Sequence, residues 1–348
     1  MKARSTTRFS ILLAVSTLAG ATSAAAEGEV NIYSYRQPDL IKPLLDTFTK
    51  ETDIKANVLF LDKGLVERIR AEGANSPADV IMTVDIARLM EAKEGGVTQP
   101  VADNGAINKD IPANLRDPAG EWFGLTTRGR VVYASKDRVT DTAITYEGLA
   151  DPKWKGKICI RDGQHSYNIG LIASMIAVHG EDYTEKWLTG VKNNLAHKPS
   201  GGDRDQAKAI LAGECDIAIG NTYYVGLMQT NEKEPEQKKW AEAIKVIFPN
   251  SADRGTHVNI SGMALAKNSP NRANALKLME FLASGEAQKI YAEQVYEYPV
   301  MPGAEPSAVV KSFGTIKPDS LALADIAANR KKASELVDKV AFNEGPES

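Results

Sequence analysis

The domain organisation of this chain is indicated by one segment, Trp122-Phe123-Gly124-Leu125-Thr126-Thr127-Arg128-Gly129-Arg130-Val131-Val132-Tyr133. It is apolar at both ends and too long for one short strand, because strands usually run about 5–6 residues. We interpret it as a crossing between two domains. The chain length of 348 residues also predicts roughly two domains.

On the N-terminal side of this crossing, strand-like runs alternate with helical patterns. Strands are predicted over residues 30–33, 54–60 and 78–82, and helices over 38–50, 65–72 and 86–93. The first helix begins at Pro38 and carries one apolar stripe, formed by Leu40, Ile41, Leu44, Leu45 and Phe48. Asp85 is predicted to cap the third helix. Such alternation is typical of an α/β sheet covered by helices, so we predict a doubly wound first domain.

A second α/β set follows the crossing. Strands are predicted over residues 157–160, 215–219 and 245–248, and helices over 168–179, 182–195 and 204–211. Asp203 is predicted to cap the last of these helices and Gly213 to close it. His257-Val258-Asn259-Ile260 is interpreted as a return crossing, and helices over 273–283, 287–294 and 321–341 complete the chain.

Cys159 and Cys215 are the only cysteines, and each lies in a short apolar run predicted as a strand. If those strands are neighbours, the two cysteines can form a disulfide; otherwise they are two buried thiols. The spacing leaves both alternatives open. Neither cysteine indicates a metal site, because no second pair and no histidine lies at ligand spacing.

The N-terminus has the pattern of a secretory signal peptide. Lys2, Arg4 and Arg8 precede an apolar run over residues 11–18 and a small-residue end at Ala24-Ala25-Ala26. We predict cleavage after Ala26, without lipid attachment, and a soluble protein in the periplasm. Removing three basic residues changes 42 basic against 45 acidic residues to 39 against 45, a net charge of −6. This charge argues against nucleic acid as a partner.

Tyrosines follow several of the predicted strands. Tyr223 and Tyr224 come after Gly220-Asn221-Thr222, where the 215–219 strand ends. Adjacent strand residues point to opposite faces, so two neighbouring phenols share one target only where the backbone has turned away. Tyr35 and Tyr167 follow strand-like runs in the same way, which predicts phenols converging on one cleft. On pattern alone, ordinary packing explains the Tyr223-Tyr224 pair equally well.

Phenol oxygens favour a hard, highly charged cation. A free phenol loses its proton near pH 10, so a strong Lewis acid is needed to make it an anion at neutral pH. Calcium prefers carboxylates and carbonyls, whereas zinc and copper prefer histidine or cysteine. The tyrosines therefore indicate trivalent iron. Binding releases protons, so the affinity is predicted to fall as the pH falls.

Five segments carry a resemblance to a known family. They are Glu29-Val-Asn-Ile-Tyr-Ser-Tyr-Arg-Gln-Pro38, Ser76-Pro-Ala-Asp-Val80, Trp122-Phe-Gly-Leu-Thr-Thr-Arg128, His165-Ser-Tyr-Asn168 and Gly220-Asn-Thr-Tyr-Tyr224. Together they resemble the ferric-ion-binding branch of the type II periplasmic binding proteins, which deliver ligands to ABC importers. The resemblance covers nearly all of the mature chain. It implies a two-lobed α/β fold in which each lobe is a mixed sheet flanked by helices, joined by two hinge crossings.

The resemblance also implies a ligand set. The metal ligands carried over are Tyr167, Tyr223 and Tyr224 of the second lobe, with Tyr35 of the first lobe as a fourth. Some relatives have histidine at the first strand exit where this chain has Tyr35, so whether Tyr35 binds the metal or only lines the cleft stays open. The matching Arg128 is expected to seat a synergistic carbonate or bicarbonate, which the planar guanidinium fits through two hydrogen bonds.

The resemblance further implies boundaries and partners. Residues 1–26 are predicted as the signal peptide, 27–126 plus 252–301 as the N-terminal lobe, and 127–251 plus 302–348 as the C-terminal lobe. An inner-membrane ABC permease is the expected partner of a monomeric carrier of Fe(III). The sequence contains none of the common short enzyme motifs, and we predict that the protein is not an enzyme. Two alternatives remain: a carrier of a sugar, polyamine or other organic solute in the same cleft, or a secreted lyase.

Overall fold

The strands of the computed structural model, which describes residues 28–101 and 105–346, fall into two groups. In chain order they are β1 (Glu29–Ser34), β2 (Lys55–Phe60), β3 (Val80–Thr83), β4 (Phe123–Ser135), β5 (Ile158–Cys159), β6 (Ile217–Asn221), β7 (Ile244–Ile247), β8 (Val258–Leu265) and β9 (Tyr298–Pro299). We call the side of β1, β2 and β3 the first lobe, and the side of β5, β6 and β7 the second lobe. The predicted signal peptide lies outside the described residues.

Helices flank both groups of strands. They are α1 (Pro38–Thr52), α2 (Leu65–Glu72), α3 (Ile86–Glu94), α4 (Gly105–Asp110), α5 (Ser166–His179), α6 (Glu181–Asn193), α7 (Asp203–Ala212), α8 (Thr222–Gln229), α9 (Glu236–Glu242), α10 (Arg272–Ala283), α11 (Gly285–Ile290), α12 (Ala308–Lys311), α13 (Leu323–Ala328) and α14 (Arg330–Lys339). The predicted helix over 321–341 is therefore two helices. Among the described residues, none of the helices combines the length and the apolar character that crossing a membrane requires.

β4 is the crossing between the lobes, as predicted. Its first half pairs antiparallel with β8 and its second half pairs antiparallel with β6 and β7. The remaining pairs in each lobe include parallel ones, β1 with β2 and β3 on one side and β5 with β6 on the other. The prediction of a two-lobed α/β fold with mixed sheets is confirmed. β4 and β8 lie side by side where the lobes join, with Arg128 opposite Asn259.

The apolar pattern of α1 explains how the first lobe is packed. Leu40, Ile41, Leu44, Leu45 and Phe48 are all buried, as their spacing on one helix face predicts. Burying side chains of this size contributes about 1.5–3 kcal/mol each. The helix ends at Asp53, which takes a left-handed conformation with φ 56°. The stripe thus fixes α1 against the sheet that leads into the cleft.

Two local predictions have different outcomes at helix starts. Asp85 caps α3 by accepting a hydrogen bond from the Arg88 N–H at 2.9 Å, as predicted. The prediction that Asp203 caps the helix now labelled α7 is wrong, because Gly202 occupies the cap position and Asp203 is the first helical residue. The Asp205 carboxylate accepts the hydrogen bond from the Gly202 N–H at 2.7 Å. The Asp203 side chain does not serve as a cap and is buried inside the second lobe.

The two cysteines form a disulfide, which resolves the alternatives left open by the sequence. Cys159 and Cys215 have Cα atoms 5.8 Å apart. Cys159 lies on β5, and Cys215 lies two residues before β6, which runs parallel to β5. Each cysteine precedes one of the tyrosine-bearing segments of the second lobe by eight residues, Cys159 before Tyr167 and Cys215 before Tyr223. The disulfide therefore joins the two strands that lead to the candidate site.

Candidate metal centre

Three tyrosines of the second lobe meet at the starts of two helices. The hydroxyl oxygens of Tyr167 and Tyr223 are 3.0 Å apart, and the rings of Tyr223 and Tyr224 have centroids 4.2 Å apart. Tyr167 is in the first turn of α5, and Tyr223 and Tyr224 are in the first turn of α8. The structure thus brings together three of the four tyrosines that the sequence singled out.

The junction between β6 and α8 explains how two adjacent phenols point into one site. β6 ends at Asn221, whose φ of −88° and ψ of 144° are still extended, and α8 begins at the next residue. Consecutive residues of a helix are about 100° apart rather than on opposite faces. Gly220 is required just before the junction, since a Cβ there would lie 2.2 Å from the Tyr133 ring.

A cavity of about 330 Å³ lies between the lobes at this point. Tyr167, Tyr223 and Tyr224 line it from the second lobe, and Tyr35 and Arg36 are among the residues that line it from the first. Phenol, guanidinium, amide and carboxylate groups thus face one space. The cavity is large enough for a metal ion together with a small anion.

Tyr35 lines the cavity but its hydroxyl is engaged elsewhere. The phenol oxygen accepts a hydrogen bond from the Leu65 N–H at 3.1 Å, and the Arg88 guanidinium lies 4.0 Å from the ring centroid. Burial raises the pKa of Tyr35, and the positive charge of Arg88 opposes this increase. Tyr35 thus differs from the second-lobe tyrosines, whose hydroxyls and rings contact one another.

Burial makes the phenols of Tyr223 and Tyr224 hard to ionise in the absence of a cation. It raises the pKa of Tyr223 well above its ordinary value, and the neighbouring Tyr167 and Tyr224 raise it further. The pKa of Tyr224 is raised by burial first and by Tyr167 second. Arg128 and Arg36 act in the opposite direction on Tyr223. Without a cation these phenols are protonated at neutral pH, and a strong Lewis acid is needed to displace their protons.

Positive charge is concentrated beside the phenols. Arg36, Arg128, Arg130 and Arg161 are buried or largely buried, and the carboxylates among them are Asp203 and Glu297. Four guanidinium groups against two carboxylates leave two positive charges unbalanced within this set. Buried charge without a partner is costly, so the arrangement favours an anion close by.

Arg128 is buried next to Tyr167 and does not line the cavity of about 330 Å³. It donates a hydrogen bond to the Ser261 hydroxyl at 3.2 Å, and its guanidinium carbon lies 5.8 Å from the Tyr167 ring centroid. Together with Arg130 and Asn221 it lines a void of about 10 Å³. Within the described part of the chain, Nη2 of Arg128 has no hydrogen-bond partner. One strong donor is therefore available next to the tyrosines.

His165 also lines the cavity, although no sequence pattern placed it in the ligand set. Its Nδ1 accepts a hydrogen bond from the Tyr167 N–H at 3.2 Å, and its ring meets the Tyr167 ring edge-on at 4.5 Å. Burial and the charge of Arg161 lower the pKa of His165 to about 3, so it is neutral at ordinary pH. Its position two residues before Tyr167 was the signal that could have identified it. Within residues 28–101 and 105–346, no three His, Cys, Asp or Glu side chains are grouped as metal ligands.

Comparison with known proteins identifies the family and several relatives. Residues 44–318 match the family model described as bacterial extracellular solute-binding protein. Iron uptake protein A1 of Synechocystis sp. is 42% identical over 325 residues, covering 92% of this chain and 89% of its own. The apo ferric ion-binding protein A of Pasteurella haemolytica has 53% identity and a TM-score of 0.87, covering 90% of this chain and 98% of its own. A Trichodesmium protein solved in complex with iron and citrate ligands has 45% identity and a TM-score of 0.83, covering 90% and 100%.

Proposed function

The chain belongs to the family of bacterial extracellular solute-binding proteins, and from this premise we propose that it captures ferric iron between its lobes. Tyr167, Tyr223 and Tyr224 supply the metal-binding oxygens as phenolates. The observation that carries this proposal is the 3.0 Å separation of the Tyr167 and Tyr223 hydroxyl oxygens at the starts of two helices. Two phenols at that separation can both become ligands of one ion with small movements.

The chemistry of the ligand set and the names of the relatives support iron. Three phenolates carry three negative charges, which balance the charge of Fe(III). Hard oxygen anions are also the donors that a small trivalent ion prefers over imidazole or thiolate. The relatives reported above are named for iron uptake and ferric ion binding. The chain is accordingly a binding protein of a transport system and not an enzyme.

A small anion completes the site in this proposal. The two unbalanced positive charges among Arg36, Arg128, Arg130 and Arg161 match a dianion such as carbonate, and bicarbonate would neutralise one of them. Arg128 is the proposed anion-binding residue, because its Nη2 has no partner among the described residues and its planar group suits a carbonate. The citrate in the Trichodesmium relative supports the general idea of an oxygen-rich anion with the iron.

Capture and release involve movement of the lobes in this proposal. The cavity lies between them, and β4 and β8 form the hinge. Closure would shift the population toward a state in which the first lobe covers the iron. We assign 27–126 plus 252–301 to the N-terminal lobe and 127–251 plus 302–348 to the C-terminal lobe. An inner-membrane ABC permease receives the iron, and the monomeric protein reaches the periplasm through the signal peptide of residues 1–26.

The experiment that tests this function is a spectrum of the metal-free protein titrated with Fe(III). Phenolate-to-iron charge transfer should give an orange to red protein that saturates at one iron per chain and is bleached by reductant plus chelator. A colourless iron mixture would contradict the proposal and favour a carrier of an organic solute. Turnover of a substrate by fully metal-free protein would instead indicate the enzyme alternative.

A further inference from the structure

A buried carboxylate is hydrogen-bonded to the backbone just before the helix that carries Tyr223 and Tyr224. Asp203, the first residue of α7, is 1% exposed. Its Oδ2 accepts hydrogen bonds from Arg130 Nη1 at 2.6 Å and from the Asn221 N–H at 2.8 Å, and its Oδ1 accepts one from Arg161 Nη1 at 3.1 Å. One carboxylate therefore binds donors from three separate parts of the second lobe: β4, the end of β6, and the segment after β5.

The network extends from Asp203 to the start of α5. Arg130 Nη2 donates to Oδ1 of Asn168 at 2.7 Å. The Asn168 amide in turn donates to the carbonyl oxygens of Arg161 and Asp162, both at 3.0 Å. Asn168 is the residue after Tyr167, and Asn221 is two residues before Tyr223. The two helix starts that carry the phenols are thus joined through one buried ion pair.

We propose that Asp203 and Arg130 are positioning residues that hold the start of α5 against the start of α8, so that the phenols already lie together before iron arrives. This inference rests on the proposed function, since it takes the phenols to be iron ligands. Asn168 and Asn221 connect the ion pair to the two helices. Asp203 itself does not touch the iron.

A structural role alone is a weaker explanation of this ion pair. A buried salt bridge is poor evidence for stability, because desolvation of the two charges offsets much of their attraction. Groups that orient metal ligands, by contrast, typically change metal affinity about 10–100-fold when they are removed. The pair lies where such orientation is needed, because its hydrogen bonds reach the backbone N–H at the end of β6 and the side chain next to Tyr167.

The sign of the effect separates positioning from simple electrostatics. A carboxylate close to a phenolate repels it, so removing the charge of Asp203 while keeping its shape would favour phenolates and tighten iron binding if charge alone mattered. Loss of positioning has the opposite result. The Asp203→Asn variant therefore distinguishes the two, because the amide is similar in shape and uncharged.

The experiment compares two network variants with two matched controls. Asp203→Asn is paired with Asp319→Asn, which removes the charge of another largely buried second-lobe carboxylate, the ion-pair partner of Arg254. Asn168→Ala is paired with Asn194→Ala, because the buried Asn194 amide also donates to two carbonyls, those of Leu149 at 2.9 Å and Asp151 at 2.8 Å. Affinity for Fe(III) is measured by competition with a chelator, together with the visible spectrum and thermal melting.

We expect Asp203→Asn and Asn168→Ala to weaken iron binding at least about tenfold and to shift the charge-transfer band, whereas both controls keep wild-type affinity even where they melt earlier. Wild-type or tighter binding with an unchanged band in Asp203→Asn would overturn the inference. If that variant does not fold, Asn168→Ala decides in the same way. If the wild-type protein with Fe(III) shows no charge-transfer band, the proposed function itself is overturned. That measurement is made before any variant is prepared, so the two failures are distinguishable.

Discussion

The two lobes present tyrosine to the cleft in different ways. In the second lobe, the hydroxyls of Tyr167 and Tyr223 are 3.0 Å apart and their helices are tied to the buried Arg130–Asp203 pair. In the first lobe, Tyr35 directly follows the end of β1, and its hydroxyl accepts a hydrogen bond from the Leu65 N–H. Capture by the second lobe thus needs little rearrangement, whereas Tyr35 belongs to the other lobe, so its contribution depends on lobe closure.

The difference has an energetic consequence for the order of events. Burial raises the pKa of Tyr35, but the hydrogen bond from the Leu65 N–H lowers it and can be kept when the phenol ionises, so closure of the lobes is the step on which a Tyr35 contribution depends. The second-lobe phenols, by contrast, already lie together before closure. We therefore expect iron to bind first to the second lobe, and the first lobe to act on residence time.

The largest effect is expected from Tyr223→Phe. The substitution removes the hydroxyl that lies closest to Tyr167 while keeping the buried ring, so most of the visible band and most of the iron affinity should be lost. Absorption and chelator competition measure both, and melting of the metal-free form should stay close to wild type. Tyr183→Phe, at an exposed tyrosine of α6, is the control and should change neither. Normal iron binding by Tyr223→Phe would remove the second lobe from its proposed role.

The next largest effect is that of pH. Burial raises the pKa of Tyr223 and of Tyr224, so both hold their protons in the metal-free protein and must lose them to bind iron. Lower pH favours the protonated form and so weakens binding, by about tenfold per pH unit for each phenol that ionises. Proton release on iron binding, followed in weakly buffered solution, counts those phenols. Tyr167→Phe should release one proton fewer. Binding without proton release would contradict phenolate ligation in either lobe.

A smaller and more selective effect is expected from Arg128→Ala. Loss of the guanidinium removes the proposed anion partner, so iron binding should lose its dependence on added bicarbonate while the phenolate band persists. Arg128→Lys keeps the charge but not the planar two-donor geometry, and should restore only part of the response. Titrations with and without bicarbonate make the comparison, with melting to check the fold. An unchanged bicarbonate response in Arg128→Ala would show that another group holds the anion.

The smallest effect is expected from Tyr35→Phe. Its hydroxyl belongs to the first lobe and accepts a hydrogen bond there, outside the second-lobe cluster, so the variant should keep the band and the number of released protons, and should bind iron within about tenfold of wild type. Faster loss of iron to a chelator would place its contribution in closure. If one proton fewer were released, Tyr35 would be a ligand and the contrast between the lobes would be weaker than we infer.

Much of the fold was visible in the sequence because it depends on local patterns. The stripe on α1 and the Asp85 cap of α3 appear where periodicity and cap chemistry indicate them. The length of the 122–133 stretch was enough to predict a crossing, which is the strand β4. These features need only neighbouring residues and the period of helix or strand.

The helices that carry the tyrosines were harder to predict. α8 is absent from the predicted elements because Thr222–Gln229 combines two aromatic residues, a valine and a glycine, all weak helix formers. Six of its eight residues are buried, so no polar face marks its period. α5 is also apolar over most of its length and begins two residues earlier than predicted. Burial on several sides removes the amphipathic signal.

The hydrogen-bond partners of the residues around the site could not be predicted from the sequence. Asp203 resembles a helix cap in sequence, yet its partner Arg130 is 73 residues away. The bond between the Leu65 N–H and Tyr35 spans 30 residues. Such contacts depend on how the sheet brings distant segments together, and no local pattern encodes them. Residue type could still identify the phenols, because their chemistry is unusual for a strand exit.

Anomalous diffraction at the iron edge, on crystals grown with Fe(III) and bicarbonate, locates the bound metal directly. We expect one peak per chain, within bonding distance of the phenol oxygens of Tyr167, Tyr223 and Tyr224. A peak elsewhere, or phenol oxygens turned away from an empty cleft in fully iron-exposed crystals, would contradict this expectation.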